Sequence, residues 1–180
     1  MKKSITNPGF LCIILSFLTL PILSGITQTS NPGIPRDTIM HAALEIIHAT
    51  PFCALVTIDS TGQSQVRTMN PFPLGDDMII WFATSRISRK VKEIRNNPKV
   101  SVYYADHMAA RGYVNITGTA EIIDDKELLI RKKREYWEGI PNWKDVFVLI
   151  KITPKTIDVI NYAHGLNGDP GTNRAATLVF

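Results

Sequence analysis

Residues 78–105 read Met78-Ile-Ile-Trp-Phe-Ala-Thr-Ser-Arg-Ile-Ser-Arg-Lys-Val-Lys-Glu-Ile-Arg-Asn-Asn-Pro-Lys-Val-Ser-Val-Tyr-Tyr-Ala105. The apolar run Met78–Ala83 has the length of a strand. Ile87, Val91 and Ile94 then recur at helical spacing, which predicts a short helix over about 88–96. Asn97-Pro98 stops it, because the residue before a proline avoids the helical region. Lys99–Ala105 is a strand again. Upstream, 53–59 (CALVTID) is a strand that turns at Asp59-Ser-Thr-Gly62 into a second strand over 63–72. Alternation puts Gln65, Arg67 and Met69 on one face of that strand and Val66, Thr68 and Asn70 on the other. Downstream, 112–123 reads as a long strand. Asp124 is expected to open a helix to about Gly139, with Glu127 completing an acidic capping box. A sixth strand runs over 145–160, and the tail 161–180, rich in Gly and Asn, is expected to be irregular. A first helix over about 38–48 is capped by Asp37. Hairpin-like links dominate and no regular βα alternation occurs. The pattern argues against a Rossmann fold and for a mostly β, antiparallel sheet or barrel with peripheral helices.

The chain has 180 residues, 44% apolar and 20% charged, with 20 Lys+Arg against 16 Asp+Glu for a net charge of +4. That mix excludes a disordered chain, and the charge is too small for a dedicated nucleic-acid binder. Residues 1–30 have the layout of a secretory signal peptide: Lys2 and Lys3, an uncharged apolar run Phe10–Leu23, then Ser24 and Gly25. That run is short for a spanning helix, so no stable membrane insertion is expected once the signal is cleaved. Its removal takes two lysines and Cys12, leaving +2 and Cys53 as the one cysteine. Residues 31–36 read as a linker and 37–160 as one domain. The expected location is outside the cytoplasm, in the periplasm.

There is no G-x-G-x-x-G, Walker A, H-E-x-x-H or G-x-S-x-G motif. The glycine-rich Gly165–Gly171 opens no helix and reads as a turn. His41, His48, His107 and His164 make no tetrahedral metal pattern, so no metal is expected. Cys53 reads as a buried small apolar residue, and Trp137 and Trp143 as packing groups. Two basic features stand out. Arg67 is a charge on a strand otherwise fit for a core, and it calls for an anion or solvent. Thr84-Ser-Arg-Ile-Ser-Arg-Lys90 gathers hydroxyls and cations at a helix start, where cations oppose the macrodipole. A bound phosphate relieves that conflict; a solvated basic loop is the plain alternative.

Five segments together resemble a known family. They are Pro51-x-x-Ala-Leu-Val-Thr-Ile-Asp59, Gln65-Val-Arg-Thr-Met69, Trp81-Phe-Ala-Thr-Ser-x-x-Ser-Arg-Lys-Val-x-x-Ile94, Asn97-Pro-Lys-Val-Ser-Val-Tyr-Tyr104 and Val114-Asn-Ile-Thr-Gly-Thr-Ala-Glu121. Over roughly 38–160 the chain resembles the FMN-binding split barrels of the pyridoxamine 5′-phosphate oxidase family, nearest the general stress protein subgroup. The resemblance implies a six-stranded antiparallel split β-barrel and a homodimer with two FMN sites at its interface. It implies that Arg67, Ser88, Arg89 and Lys90 hold the FMN phosphate. It places backbone at Thr68, Met69 and Asn70 against the flavin ring and includes Thr84 in the site. Tyr113 falls near a glutamine that contacts FMN in the oxidase.

The chain departs from the oxidase where that enzyme holds its substrate. Phe72 stands where the oxidase has a lysine. Glu135-Tyr-Trp-Glu-Gly-Ile-Pro-Asn-Trp143 replaces its Tyr…Arg…Ser motif, and Asn161-Tyr-Ala-His-Gly-Leu-Asn167 does not match its Arg-x-His ending. The implied function is an exported FMN-binding oxidoreductase that acts on a small-molecule substrate or electron acceptor and is not a true pyridoxamine phosphate oxidase. Two other readings stay open: a haem-binding or haem-degrading split barrel, with one of the four histidines as axial ligand, and a flavin-binding module without turnover. A deazaflavin could replace FMN. No catalytic acid or base is identifiable, since the flavin itself carries the electrons.

Overall fold

The computed structural model describes residues 33–180. The expected signal peptide, 1–30, and the first two linker residues lie outside the described residues. The elements are α1 (Arg36–Ala49), β1 (Cys53–Ile58), β2 (Ser64–Met69), β3 (Ile80–Ser85), α2 (Arg89–Asn96), β4 (Lys99–Ala105), β5 (Gly112–Ile123), α3 (Lys126–Arg131), α4 (Trp143–Val146), β6 (Phe147–Asn161) and β7 (Ala176–Val179). Six antiparallel strands lie in the order β2-β1-β4-β5-β6-β3. The sheet curls into a split barrel whose edges are β2 and β3. Beyond β2, the Phe72 N–H donates to Trp81 O at 2.9 Å, a bond that links the two edges.

The core follows from alternation. Cys53, Leu55 and Thr57 of β1, Ile80, Phe82 and Thr84 of β3, and Val100, Val102 and Tyr104 of β4 all face inward and are buried. Each large apolar side chain removed from water in this way contributes about 1.5–3 kcal/mol. Helix α1 buries Ile39, Ala42, Ala43, Ile46 and Ile47 in the same core, and α2 lays Val91 and Ile94 against the sheet. A smaller cluster forms around Leu129, Trp137 and Leu149, packed by Phe72, Trp81, Trp143 and Phe147. Burial pushes the Cys53 thiol up to about 12. Among the described residues no helix is long and apolar enough to cross a membrane.

Five expectations need correction. Helix α1 starts at Arg36 rather than Thr38 and is not capped by Asp37, because the Pro35 carbonyl accepts from the N–H groups of Thr38 and Ile39. The helix expected over 124–139 is broken into α3 and a 3₁₀ turn at Glu135–Gly139, and its cap is Asp125, whose side chain accepts from Leu128 N at 2.9 Å. Asp124 instead pairs with Arg86 through both oxygens. The break lets Lys132 lie 4.6 Å over the Trp81 ring and Arg134 donate to Pro71 O at 2.6 Å, contacts that outweigh helix propensity. The tail is not wholly irregular: β7 pairs antiparallel with β6 from Thr156 to Val159. Ala176 and Leu178 are buried there, and Thr177 donates to Asp158 at 2.7 Å.

Register between β5 and β6 shifts at Thr117/Gly118. A Cβ at Gly118 would sit 2.4 Å from Thr153 O, a backbone atom with little room to yield. Gly118→Ala should therefore cost about 1–3 kcal/mol by overpacking. At about 2–4 °C per kcal/mol for a domain of this size, thermal unfolding followed by circular dichroism should show Tm lowered by about 2–12 °C; an unchanged Tm would mean that the bulge absorbs the methyl group.

Candidate functional site

The first turn of α2 meets the ends of β1, β2 and β3 at a cluster of charge. Register pairs Leu55 with Arg67 and Thr57 with Gln65, so Arg67 and Gln65 project from the core side of β2. A guanidinium there needs a partner, and the structure supplies Glu93 of α2. The Arg67 Nη2 donates to Glu93 Oε2 at 2.7 Å, and its Nη1 donates to Thr57 Oγ1 at 2.5 Å. The Thr57 hydroxyl in turn donates to the same Glu93 oxygen. Glu93 is only 4% exposed. Its other oxygen, Oε1, lies 2.8 Å from Arg89 Nε, one helical turn back. That contact is an ion pair without hydrogen-bond alignment, so Oε1 has no aligned donor. Arg89 Nη2 also donates to Gln65 Oε1 at 2.8 Å.

Lys90 completes the cluster. Its ammonium donates to Thr84 Oγ1 at 3.0 Å, and that hydroxyl lies 3.4 Å from Ser88 Oγ. Ser88 occupies the N-cap of α2 yet makes no side-chain cap bond, which leaves its hydroxyl to the cluster. Among the described residues Lys90 forms no ion pair. Burial, then the neighbouring Arg67 charge, pulls its pKa down from the ordinary lysine value. For Glu93, burial alone would raise the pKa, but the Thr57 and Arg67 hydrogen bonds and the arginine charges hold it below the ordinary value of 4.5. Three cations against one carboxylate leave two positive charges without an acid. A phosphate monoester carries about −1.5 to −2 charges near neutral pH, so the residues present fit one.

The structure thus gathers Arg67, Thr84, Ser88, Arg89 and Lys90, but not every expected site residue. The Thr68 side chain is exposed on the opposite face of β2, and Met69 packs against the core. Asn70 lines a separate cavity of about 720 Å³ with Pro71, Phe72, His48 and the run Arg131-Lys-Lys-Arg134. Tyr113 stacks on Tyr103 with ring centroids 5.5 Å apart, on the outward side of β4 and β5. His164 pairs with Glu45, beside His41. Sequence reasoning left Arg67 to an external anion or solvent and missed Glu93 and Thr57. The available signal was the spacing of Arg89 and Glu93, one turn apart on α2.

The six-stranded curled sheet defines a split barrel. The chain belongs to the pyridoxamine 5′-phosphate oxidase family, whose sequence model matches residues 39–161. General Stress Protein 26 from Bacillus anthracis str. Sterne is 27% identical over 66% of this chain and 90% of its own, with a TM-score of 0.55. A Clostridium acetobutylicum protein related to general stress protein 26 shares the fold at 15% identity, covering 72% of this chain and 92% of its own with a TM-score of 0.61. So does a pyridoxamine 5′-phosphate oxidase-related, FMN binding protein from Nostoc punctiforme PCC 73102, at 18% identity, 68% and 82% coverage and a TM-score of 0.51. No curated protein matches the chain in sequence.

Glu93→Gln should lower stability by about 2–4 kcal/mol at neutral pH, less than the most costly buried pairs because Arg89 is 70% exposed. The carboxylate has a lowered folded pKa, so its contribution is complete above about pH 4.5 and fades as pH falls through the folded value. Urea unfolding at pH 7 and in a series below pH 4.5 should show the gap between wild type and variant closing in acid. A gap constant with pH would place the stabilisation in shape rather than charge.

Proposed function

We propose that this chain is an exported FMN-dependent oxidoreductase, homodimeric, with the flavin phosphate held by Arg67, Ser88, Arg89 and Lys90. The observation that supports it is the cluster's two uncompensated positive charges, one of them on half-buried Lys90, whose ammonium hydrogen-bonds to the Thr84 hydroxyl and forms no ion pair among the described residues. Family membership supplies the ligand class. Backbone at Thr68, Met69 and Asn70 leads from this cluster to the large cavity, which offers room for a small-molecule substrate or electron acceptor. Its basic run Arg131–Arg134 beside Phe72 suits an anion with an apolar body. FMN, when bound, supplies electron transfer; the chain supplies charge, orientation and a shaped cavity.

The test is a flavin titration with riboflavin as the control lacking phosphate. Each charge-assisted contact is worth roughly 1.5–3 kcal/mol, so Lys90→Ala and Arg89→Ala should each weaken FMN about tenfold to over a hundredfold at about 1.4 kcal/mol per decade. Riboflavin binding should not move. Unchanged FMN affinity in both variants would put the phosphate elsewhere, and a Soret band in the purified protein would replace flavin by haem. Protein recovered from its native host should begin after about residue 25 and scatter light at about twice the monomer mass; an intact cytosolic monomer would overturn both export and the dimer.

A further inference from the structure

We propose that Glu93 is the positioning residue of this phosphate site: a buried carboxylate that aims Arg67 and Arg89 at an external anion and limits the excess charge they present. The proposal rests on the flavin-phosphate reading above and adds to it a group that touches no ligand. Each arginine has part of its fork tied down. Arg67 spends Nη2 on Glu93 and Nη1 on Thr57, with Leu55 O a further 3.5 Å neighbour, and is 18% exposed. Arg89 is held by Nε beside Glu93 Oε1 and by Nη2 on Gln65, which leaves Nη1 for the outside although the side chain is 70% exposed. Without these anchors a long exposed arginine loses rotamer freedom only when the ligand arrives, at a cost to affinity.

The shared carboxylate is the second observation. Glu93 Oε2 accepts from Arg67 Nη2 at 2.7 Å and Oε1 lies 2.8 Å from Arg89 Nε, so one buried group meets both guanidinium groups. Here the carboxylate sits behind the arginines, in the place from which it can steer both. With Glu93 charged, three cations present two net positive charges, matched to a dianionic phosphate. Neutralising it leaves three, which by charge alone would favour the phosphate, so the loss expected comes from two guanidinium groups that are no longer aimed.

The test compares FMN with riboflavin on Glu93→Gln, Arg67→Ala and the double variant. Loss of an outer partner of a metal-ligating side chain weakens binding about 10–100-fold, and a carboxylate that aims phosphate-binding arginines is expected to act on a similar scale. Glu93→Gln should weaken FMN by about tenfold or more while riboflavin stays within about twofold. The same change should cost less once Arg67 is alanine, because only its effect through Arg89 then remains. Unchanged or tighter FMN binding would overturn the proposal, since Glu93 would then compete with the phosphate. Equal losses for FMN and riboflavin would overturn it too, as the mark of a structural role. Should Glu93→Gln fail to fold, Thr57→Val keeps the shape and removes one link to the carboxylate; a smaller loss confined to FMN is expected, and no loss overturns the proposal. If wild type binds neither flavin, the flavin reading fails separately. Inorganic phosphate, followed through the guanidinium NMR signals of Arg67 and Arg89, then decides the role of Glu93: a weaker response in the variants supports it, and an equal one overturns it.

Discussion

The long strand β6 fixes where everything else lies. On one side it pairs with β5 from Asn161 back to Leu149; on the other it pairs first with β3 and then with β7. Thr84 faces inward because it is opposite Val148, and both are buried. A slip of one residue would turn Thr84 out and carry Phe82 and Ile80 with it. The hydroxyl that receives Lys90 is therefore set by a ladder whose far end holds the tail. The bulge at Gly118 lets two long strands stay in register on both sides of a bend.

Upon that frame, the charge cluster depends on one helix being docked correctly. Val91 and Ile94 seat α2 on the sheet, and the same seating drives Glu93 into a space that already contains Arg67. Apolar packing and ion pairing thus reinforce one another. Arg86, although in the same basic loop, is drawn away to Asp124 and the Asp145 carbonyl. The loop splits into one arm that locks β3 to the α3 and α4 region and another that joins the charge cluster around Glu93.

Much of this was legible in the sequence. The alternation in 99–105 and 112–123 marks β4 and β5 at their observed limits, and the spacing of Val91 and Ile94 marks α2. The basic residues of the cluster drew notice because cations at a helix start oppose the macrodipole, and the family resemblance implied a role for them. Glu93 was hidden for the opposite reason: a glutamate in a short charged helix reads as solvated surface, and only tertiary placement shows it buried. Strand β7 was hidden by length, since four residues carry too little alternation to stand out beside glycine and asparagine. The broken helix after β5 was hidden because Lys132, Arg134 and Trp137 are drawn to partners far off in sequence, which periodicity cannot register.

The satellite cluster has an optical consequence. All three tryptophans of the chain, Trp81, Trp137 and Trp143, belong to it, and the barrel interior holds none. Intrinsic indole emission therefore reports on one corner of the molecule, the corner beside the basic run, with the Lys132 ammonium 4.6 Å from the Trp81 ring to colour it. Far-ultraviolet dichroism reports on the sheet. Where those two signals part company during unfolding, the corner has loosened while the barrel still stands, and the protein carries its own means of telling the two events apart.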